Sequence, residues 1–522
     1  MPEVAVGPDA LVRVQGAVPP RWGRSVLDLV APLVTPTEQR LALAPGSLVL
    51  RQLRGDEVAR SATPDAGRVL TFVTAAAGAP PAQGLDVRVR PRPEVDRRLH
   101  HLLAPVPTPL PPTVDGEVLA AGEAGAGWVR RRHGRAVEDV VAGAFPAPGP
   151  EGRLLTPDLD ASTLALLVLV HVLRELSGVA TVRPGLRAAL VVDDPNLRCR
   201  RYGFLDLAEA RELLERRRAH LSVATIPIDA PFARRPVAEL FRRSERLSLS
   251  VHGNRHLHRE LADVDSPEAA AALGAQALGR LRRLSRLGVP VEPVMVPPHG
   301  AASVATLRGL RAAGFAGVCY TGPVDQQCGR APVNLYPADV HLPDGVAGLH
   351  RWRFDISRDY LRARAFLDQP LVLYGHHDDF AGGLGVLDDA IGDVERFGPV
   401  RWMSLHELLR GNLAWSRRGD EQVVAAWSDE VVLGPEAWAQ SVRVLWPGGT
   451  SARLLRPLSG WTDRLVLRSP RALPAPPAAR PPWLDRRLPG ALVRRAATES
   501  RDRLLPRRAQ LARWRGAHPP TH

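Results

Sequence analysis

Residues 187–196, with the sequence RAALVVDDPN, join an apolar run to two adjacent acids and a Pro–Asn turn. The apolar run has the length and the β-branched content of a buried strand, which ends at Asp193 and Asp194. Because successive side chains on a strand point in opposite directions, one acid can hold a cation while the other handles a proton. An acid pair alone is more often a turn or a solvated edge, so the neighbouring segments decide its meaning.

The same pattern, an apolar strand followed by polar residues, recurs as far as about Asn412. The segments are HLSVATIPI, LSLSVHG, PVEPVMVPP, FAGVCY and PLVLYGHH, and helix-like stretches such as 206–219 and 267–287 lie between them. Strands that alternate with helices indicate parallel βα units, and polar strand ends indicate a barrel with its active site on that face. The predicted fold class is therefore α/β, with a (β/α) barrel over residues 185–413.

Two of these strand ends carry histidines. In LSVHGNRHLHRE, His252 and His256 stand four residues apart, so a helical turn after Gly253 brings both imidazoles to one side. Two imidazoles and a carboxylate form a zinc ligand set that leaves an open position for water. In PLVLYGHHDDF, His376 and His377 are candidates for the proton donor that amide hydrolysis requires. Each motif alone is often a polar loop, but their occurrence together favours a metal site.

Together these segments resemble the polysaccharide deacetylase superfamily, also called the NodB-homology or carbohydrate esterase family four group. The resemblance covers about residues 186–412 and implies a distorted (β/α) barrel. VVDDPN resembles the first motif of that family, which implies Asp193 as general base and Asp194 as metal ligand. HGNRH has the spacing of the second motif, which implies His252 and His256 as the other ligands of one divalent cation, with Zn²⁺ expected. LVLYGHH takes the place of the motif that supplies the catalytic acid.

The resemblance also implies where a substrate would lie. VPPHG is similar to the third motif, which lines the groove, so Pro297, Pro298 and His299 are expected to contact substrate. The architecture of the family places a backbone N–H for the oxyanion near Tyr202 or Gly203.

The third motif departs from the pattern of the family at one position. That motif usually begins with an arginine that holds the base, and Val296 stands there instead. Arg198, Arg200 and Arg201 are candidates to replace it.

The implied function is metal-dependent deacetylation of an N-acetylated or O-acetylated carbohydrate or glycoconjugate. One alternative is a carbohydrate-binding protein that keeps the barrel without turnover, because the third-motif arginine is missing. Another is a glycoside hydrolase on a related barrel, for which Asp355, Asp378 and Asp379 are available acids. A glycosidase would not need the pair of histidines at 252 and 256.

Three further segments flank the barrel. Residues 1–184 predict an α/β or strand-rich accessory domain that ends in a buried helix at about 160–177. Residues 414–470 predict a small β-rich module. Residues 471–522 predict a Pro/Ala linker and an arginine-rich tail. The tail is either disordered or, as Trp483 and Trp514 suggest, in contact with an anionic membrane or with nucleic acid.

Composition adds little about partners. The formal charge is +14, but arginine supplies all of the basic side chains, which is typical of a GC-rich coding bias. A high basic total without a localised basic face is weak support for nucleic-acid binding. The sequence shows no secretory signal and no apolar run of the roughly 20 residues that a membrane span requires, so a cytoplasmic protein is expected.

Overall fold

The computed structural model describes residues 3–5, 11–15, 48–58, 67–75, 85–146, 155–176, 185–257, 259–321, 340–341, 346–411, 413–418, 421–426, 428–433, 441–446, 451–455, 465–469, 489–498, 500, 501 and 504. Trp483 and Trp514 lie outside the described residues, as does most of the predicted tail. Within these ranges, no helix combines the length and the apolar character that crossing a bilayer demands.

The N-terminal part of the chain forms a mixed sheet. Its strands are β1 Glu3–Ala5, β2 Leu11–Gln15, β3 Leu48–Arg54, β4 Arg68–Thr74, β5 Leu85–Val89, β6 Leu103–Val106, β7 Glu117–Gly122, β8 Gly125–His133 and β9 Ala136–Ala142. In the described residues these nine strands run in the order β1-β2-β3-β4-β9-β8-β7-β5-β6. The predicted buried helix is present as α1, Thr163–Leu176. Arg174 of α1 donates to the Phe366 carbonyl oxygen at 2.6 Å, which joins this part of the chain to the barrel.

The central part of the chain is a closed parallel barrel. Its strands and the short strands between them are β10 Leu186–Asp193, β11 Arg201–Tyr202, β12 Leu205–Asp206, β13 Leu221–Thr225, β14 Leu247–His252, β15 Val291–Val296, β16 Gly317–Tyr320, β17 Val340–His341, β18 Ala347–Arg353, β19 Leu371–His376 and β20 Val400–Trp402. Among the described residues, seven of them close in the order β10-β13-β14-β15-β16-β18-β19 and back to β10. This ring of parallel pairings confirms the predicted (β/α) barrel as a closed parallel barrel.

Helices cover the outside of the barrel. They are α2 Leu207–Arg217, α3 Arg235–Arg242, α4 Pro267–Arg286, α5 Val304–Ala312, α6 Arg358–Phe366 and α7 Gly385–Glu395. The next helix, α8 Leu405–Arg410, instead packs its leucines against Ala189, Val191 and Leu349 of the barrel strands, in a core separate from that of the outer helices. Asp206 begins α2 by accepting from two backbone N–H groups, and Ser266 begins α4 in the same way with one. Such side chains satisfy the N–H groups that a helix start leaves without partners.

The barrel gathers the predicted site residues because its strands are parallel. Asp193 is paired in register with His376 on β19, and His252 on β14 is paired with Val296 on β15. Each of these four residues is the last of its strand. All carboxyl ends of a parallel barrel meet on one face, so the polar residues that follow the strands converge at its mouth.

The opposite end of the barrel holds a buried acid. Glu292 on β15 is 8% exposed and accepts hydrogen bonds from the Ser222 hydroxyl and the His406 backbone N–H, both at 3.3 Å. Burial raises the pKa of Glu292 to about 7, although these hydrogen bonds oppose the change. Ionisation of this carboxyl is therefore disfavoured in the folded state.

We expect Glu292→Gln to alter how stability depends on pH. Because the folded-state pKa of Glu292 lies above its usual value of 4.5, its stabilising contribution is complete below about pH 4.5 and is lost as the pH rises through about 7. At about 1.4 kcal/mol per pKa unit, the free energy of unfolding of the wild type should fall by about 3 kcal/mol relative to the variant across that window. Urea titrations at several pH values measure this difference. The exposed Glu212→Gln is the control, and a pH-independent difference for Glu292→Gln would contradict the assignment.

The described residues of the C-terminal part of the chain form strands and a helix. The strands are β21 Leu413–Arg418, β22 Glu421–Ala426, β23 Glu430–Leu433, β24 Ser441–Leu445, β25 Ser451–Leu455 and β26 Leu465–Arg468. Residues 489–498 form a helix, in which Ala491 is 1% exposed and Arg495 is 6% exposed. This segment of the predicted tail differs from the expectation, because it is folded and packs against the barrel.

Candidate metal centre at the mouth of the barrel

Asp194, His252 and His256 come together at the mouth of the barrel. One potential ligand atom from each of the three lies within 4.8 Å of the others. Oδ1 of Asp194 lies 3.6 Å from Nε2 of His252 and 3.3 Å from Nε2 of His256. The Asp194 and His256 side chains keep 19% and 25% of their surface exposed, so the cluster is open to solvent.

A backbone carbonyl fixes the orientation of His252. Nδ1 of this 2%-exposed imidazole lies 2.9 Å from the Val296 carbonyl oxygen, which can only accept. The Nδ1 atom is therefore the protonated one, and Nε2 presents its lone pair toward Asp194. A carbonyl that fixes the tautomer in this way is a common support for a metal-binding histidine.

The donor atoms of this cluster fit a divalent cation. Oδ1 of Asp194 is buried and has no hydrogen-bond partner among the described residues, although two imidazole nitrogens face it. A buried carboxylate oxygen without a donor is rare and requires an explanation. Burial and the neighbouring His252 lower the pKa of His256, which favours the neutral imidazole that binds metals. One carboxylate and two neutral imidazoles suit a divalent cation such as zinc.

The backbone is strained at these positions. Asp194, His256 and His299 have φ angles of +79°, +58° and +57°, in the region that residues other than glycine rarely adopt. Such conformations cost about 1–3 kcal/mol each and persist where the surrounding structure holds them. Their grouping around one cluster is typical of a functional site.

Glu260 holds the loop that carries His256. Its carboxylate accepts from the backbone N–H groups of Asn254, Arg255 and His256, at 2.9–3.0 Å. A Cβ atom at Gly253 would lie 2.8 Å from the same carboxylate, so this position requires glycine. Glu260 was not among the residues predicted from the sequence, although it lies in the segment HGNRHLHRE that carries both histidines.

Arg351 holds Asp193 and was likewise not among the residues predicted from the sequence. Its two terminal nitrogens donate to the two Asp193 oxygens at 2.5 and 2.7 Å, and both side chains are buried. Burial alone would raise the pKa of Asp193, but Arg351 and the nearby His252 and His376 lower it to about 2. Asp193 is therefore ionised throughout the physiological pH range.

The arginine that holds Asp193 is thus Arg351 and none of the three that were proposed from the sequence. Arg198 lies over the Phe232 ring at 5.5 Å, and Arg200 donates to Asp206 at 3.1 Å. Arg201 lies 3.7 Å from the same Asp206 carboxylate. Arg351, on β18, makes the contact for which those three were candidates.

The two adjacent histidines on β19 lie in different surroundings. Nε2 of His376 lies 3.7 Å from Oδ2 of Asp193, and its side chain is 37% exposed. Arg353 donates to Nδ1 of His376 at 3.4 Å, which leaves the proton of a neutral imidazole on Nε2. His377 is 6% exposed, and its ring packs edge-on against Tyr202 with a centroid separation of 5.2 Å.

The predicted substrate contacts are only partly exposed. His299 is exposed, and its ring centroid lies 5.5 Å from that of His256. Pro297 and Pro298 are buried. Tyr202 is 1% exposed, with its hydroxyl 3.1 Å from Nη2 of Arg495. Of these four residues, His299 is the one that faces solvent beside the cluster.

Comparisons with known proteins give distant likenesses. No protein-family model and no curated protein matches the sequence. Among solved structures, a family 4 carbohydrate esterase from Streptomyces lividans is 13% identical, with 41% of this chain and 88% of that chain covered and a TM-score of 0.25. A peptidoglycan N-acetylglucosamine deacetylase from Eubacterium rectale is 13% identical, with 43% and 92% covered and a TM-score of 0.24. A 4-alpha-glucanotransferase from Thermococcus litoralis is 14% identical, with 43% and 40% covered and a TM-score of 0.28. Likenesses this weak carry no weight for function.

Proposed function

We propose that the chain is a metal-dependent hydrolase that removes acetyl groups from an N-acetylated carbohydrate or glycoconjugate. The observation that carries the proposal is the buried Asp194 oxygen that faces two imidazole nitrogens and lacks a hydrogen-bond donor. An ionised Asp193 and a solvent-exposed His376 flank this cluster at the mouth of the barrel. A cation site beside a candidate base and a candidate acid suits amide hydrolysis.

Asp194, His252 and His256 would hold the cation, with zinc as the expected metal. A divalent cation there would polarise the acetamide carbonyl and lower the pKa of nearby water. That acidification matters for Asp193, because a carboxylate with a pKa of about 2 has little affinity for a proton. Asp193 can therefore act as a base only toward a water molecule whose pKa the cation has lowered.

Asp193 and His376 carry out the two proton transfers of the reaction. Asp193 accepts the proton of the water that attacks the acetyl carbonyl carbon. As the C–N bond breaks, His376 in its protonated form gives the proton on Nε2 to the leaving amine and becomes the neutral imidazole. The proton that Asp193 took from water then restores the protonated form, and the products are acetate and the free amino sugar. His376 suits this role better than His377, because it is the more exposed and lies 3.7 Å from Asp193.

The alternative of a carbohydrate-binding barrel without turnover loses its main support. It rested on Val296 in place of an arginine, and Arg351 provides that arginine from β18. For a glycoside hydrolase, Asp379 was one of the available acids. Its carboxylate instead pairs with Arg353 at 2.5 Å and accepts from the His376 backbone N–H at 2.8 Å.

Metal content and acetate release test the proposal. We expect the purified full-length protein to retain about one zinc ion per chain, because one carboxylate and two imidazoles form a single site. It should also release acetate from members of a panel of N-acetylated amino sugars, sugar nucleotides and short oligomers. His256→Ala should lose both properties. His133→Ala, at an exposed histidine of the N-terminal sheet, should lose neither. Stoichiometric zinc in His256→Ala would disprove the ligand set, and activity that survives metal removal would disprove the mechanism.

A further inference from the structure

The helix at 489–498 packs against the face of the barrel that carries the metal centre. Ala491 is 1% exposed and packs in a small apolar cluster with Ile226 and Ile228, which follow β13. Leu257 and Leu492 complete that cluster. The next turn of the helix places Arg495 beside the cation-binding residues, although it lies 301 positions from Asp194 in the sequence.

Arg495 contacts three groups around the centre. It is 6% exposed, and its Nε donates to Oδ2 of Asp229 at 2.7 Å. Its Nη2 lies 3.1 Å from both the Asp194 carbonyl oxygen and the Tyr202 hydroxyl. The planar guanidinium group of an arginine presents several N–H donors at fixed angles. The ammonium group of a lysine cannot reproduce this arrangement.

The contact with Asp194 falls where the backbone is strained. Asp194 has a φ of +79°, and its N–H donates to the Ala224 carbonyl oxygen at 3.1 Å. Arg495 holds the carbonyl of the same residue. The main chain of Asp194 is thereby fixed on both sides, and its conformation determines where the carboxylate points.

Asp229 supplies the charge that keeps Arg495 in place. It is 6% exposed and also accepts from the Asn196 side chain at 3.2 Å. A buried carboxylate without a cation is strongly unfavourable, so Asp229 selects a positive side chain at this position.

We propose that the C-terminal helix completes the metal centre and that Arg495 is a positioning residue for Asp194. This inference rests on the proposed function, because it assigns Asp194 as a ligand. The arginine-rich segment 471–522 suggests an anionic partner, but Arg495 within it contacts Asp194 of the same chain.

Zinc affinity of the full-length protein tests the inference. Arg495→Ala should weaken zinc binding by about 10- to 100-fold, the usual effect of losing a residue that orients a ligand. Competition with a chromophoric chelator measures the affinity, and the visible spectrum of the Co²⁺-loaded protein should change with the ligand geometry. The matched control is Arg494→Ala, because Arg494 is the adjacent arginine and is exposed. Equal zinc affinity and equal spectra in the two variants would overturn the proposal.

A second variant and a second measurement complete the test. If Arg495→Ala fails to fold, Arg495→Lys keeps the charge opposite Asp229 but loses the fork, so weakened zinc binding in that variant supports the proposal and wild-type binding overturns it. Backbone amide exchange of residues 194–202 in the metal-free protein should be faster in Arg495→Ala than in Arg494→Ala. If the wild type binds no zinc, the proposed function fails, and this exchange measurement alone decides whether Arg495 fixes Asp194.

Discussion

Substitution of Asp194 by asparagine is expected to remove both the metal and the hydrolytic activity, whereas the same substitution at Asp193 should remove the activity and leave the metal bound. Asparagine at 194 removes the charged ligand from a set of three, so a cation should no longer be retained. Asparagine at 193 keeps the size of the side chain and an oxygen for Arg351. Loss of the base should lower acetate release by about two to four orders of magnitude.

The two variants serve as controls for each other, because they make the same chemical change at adjacent positions. Metal analysis and the acetate assay on both proteins separate the two roles. Metal loss in both would mean that both acids are ligands. Metal loss in Asp193→Asn alone would reverse the assignment, and full activity in that variant would exclude Asp193 as the base.

The residues that sequence analysis found share one property. Asp193, His252 and His376 each end an apolar strand, and a sequence displays such a boundary directly. Once the strands are taken as parallel, their carboxyl ends must lie on one face, so the convergence of these side chains follows. The same reasoning predicts the positions of Asp194, which directly follows a strand end, and His256, which lies four residues after one.

The residues that it missed depend on contacts across the fold. Arg351 lies within β18, where the pattern of the strand does not distinguish an arginine directed at Asp193 from one directed at solvent. Its one available signal was a charge inside an otherwise buried strand. Arg495 lies in a segment whose composition resembles a disordered tail, and nothing local predicts that it packs against residues 266 to 301 positions away. Composition describes the average of a segment, but docking depends on the few side chains that face the barrel.

Arg351→Met is expected to cause the largest loss of stability among these substitutions. Asp193 and Arg351 are each 2% exposed, so removal of the arginine leaves a buried carboxylate without its partner. Breaking a buried ion pair in this way costs about 3–5 kcal/mol of folding free energy. Arg353→Met is the matched control, because Arg353 lies two residues along the same strand in an ion pair with Asp379 and its side chain is 44% exposed. An exposed pair contributes about 0–1 kcal/mol, so this control should be nearly neutral.

A double-mutant cycle attributes the loss to the pair itself. If Asp193 and Arg351 act together, Asp193→Asn combined with Arg351→Met should cost less than the sum of the single substitutions, because the double variant has no unpaired buried charge. Urea unfolding of the four proteins gives the coupling free energy, which we expect to exceed about 2 kcal/mol, within the range for residues of one ion-pair network. Additive losses would mean that Arg351 stabilises the barrel through its packing. In that case Arg351 would not be the group that keeps Asp193 ionised. Burial would then raise the pKa of the Asp193 carboxyl, since burial favours the neutral form.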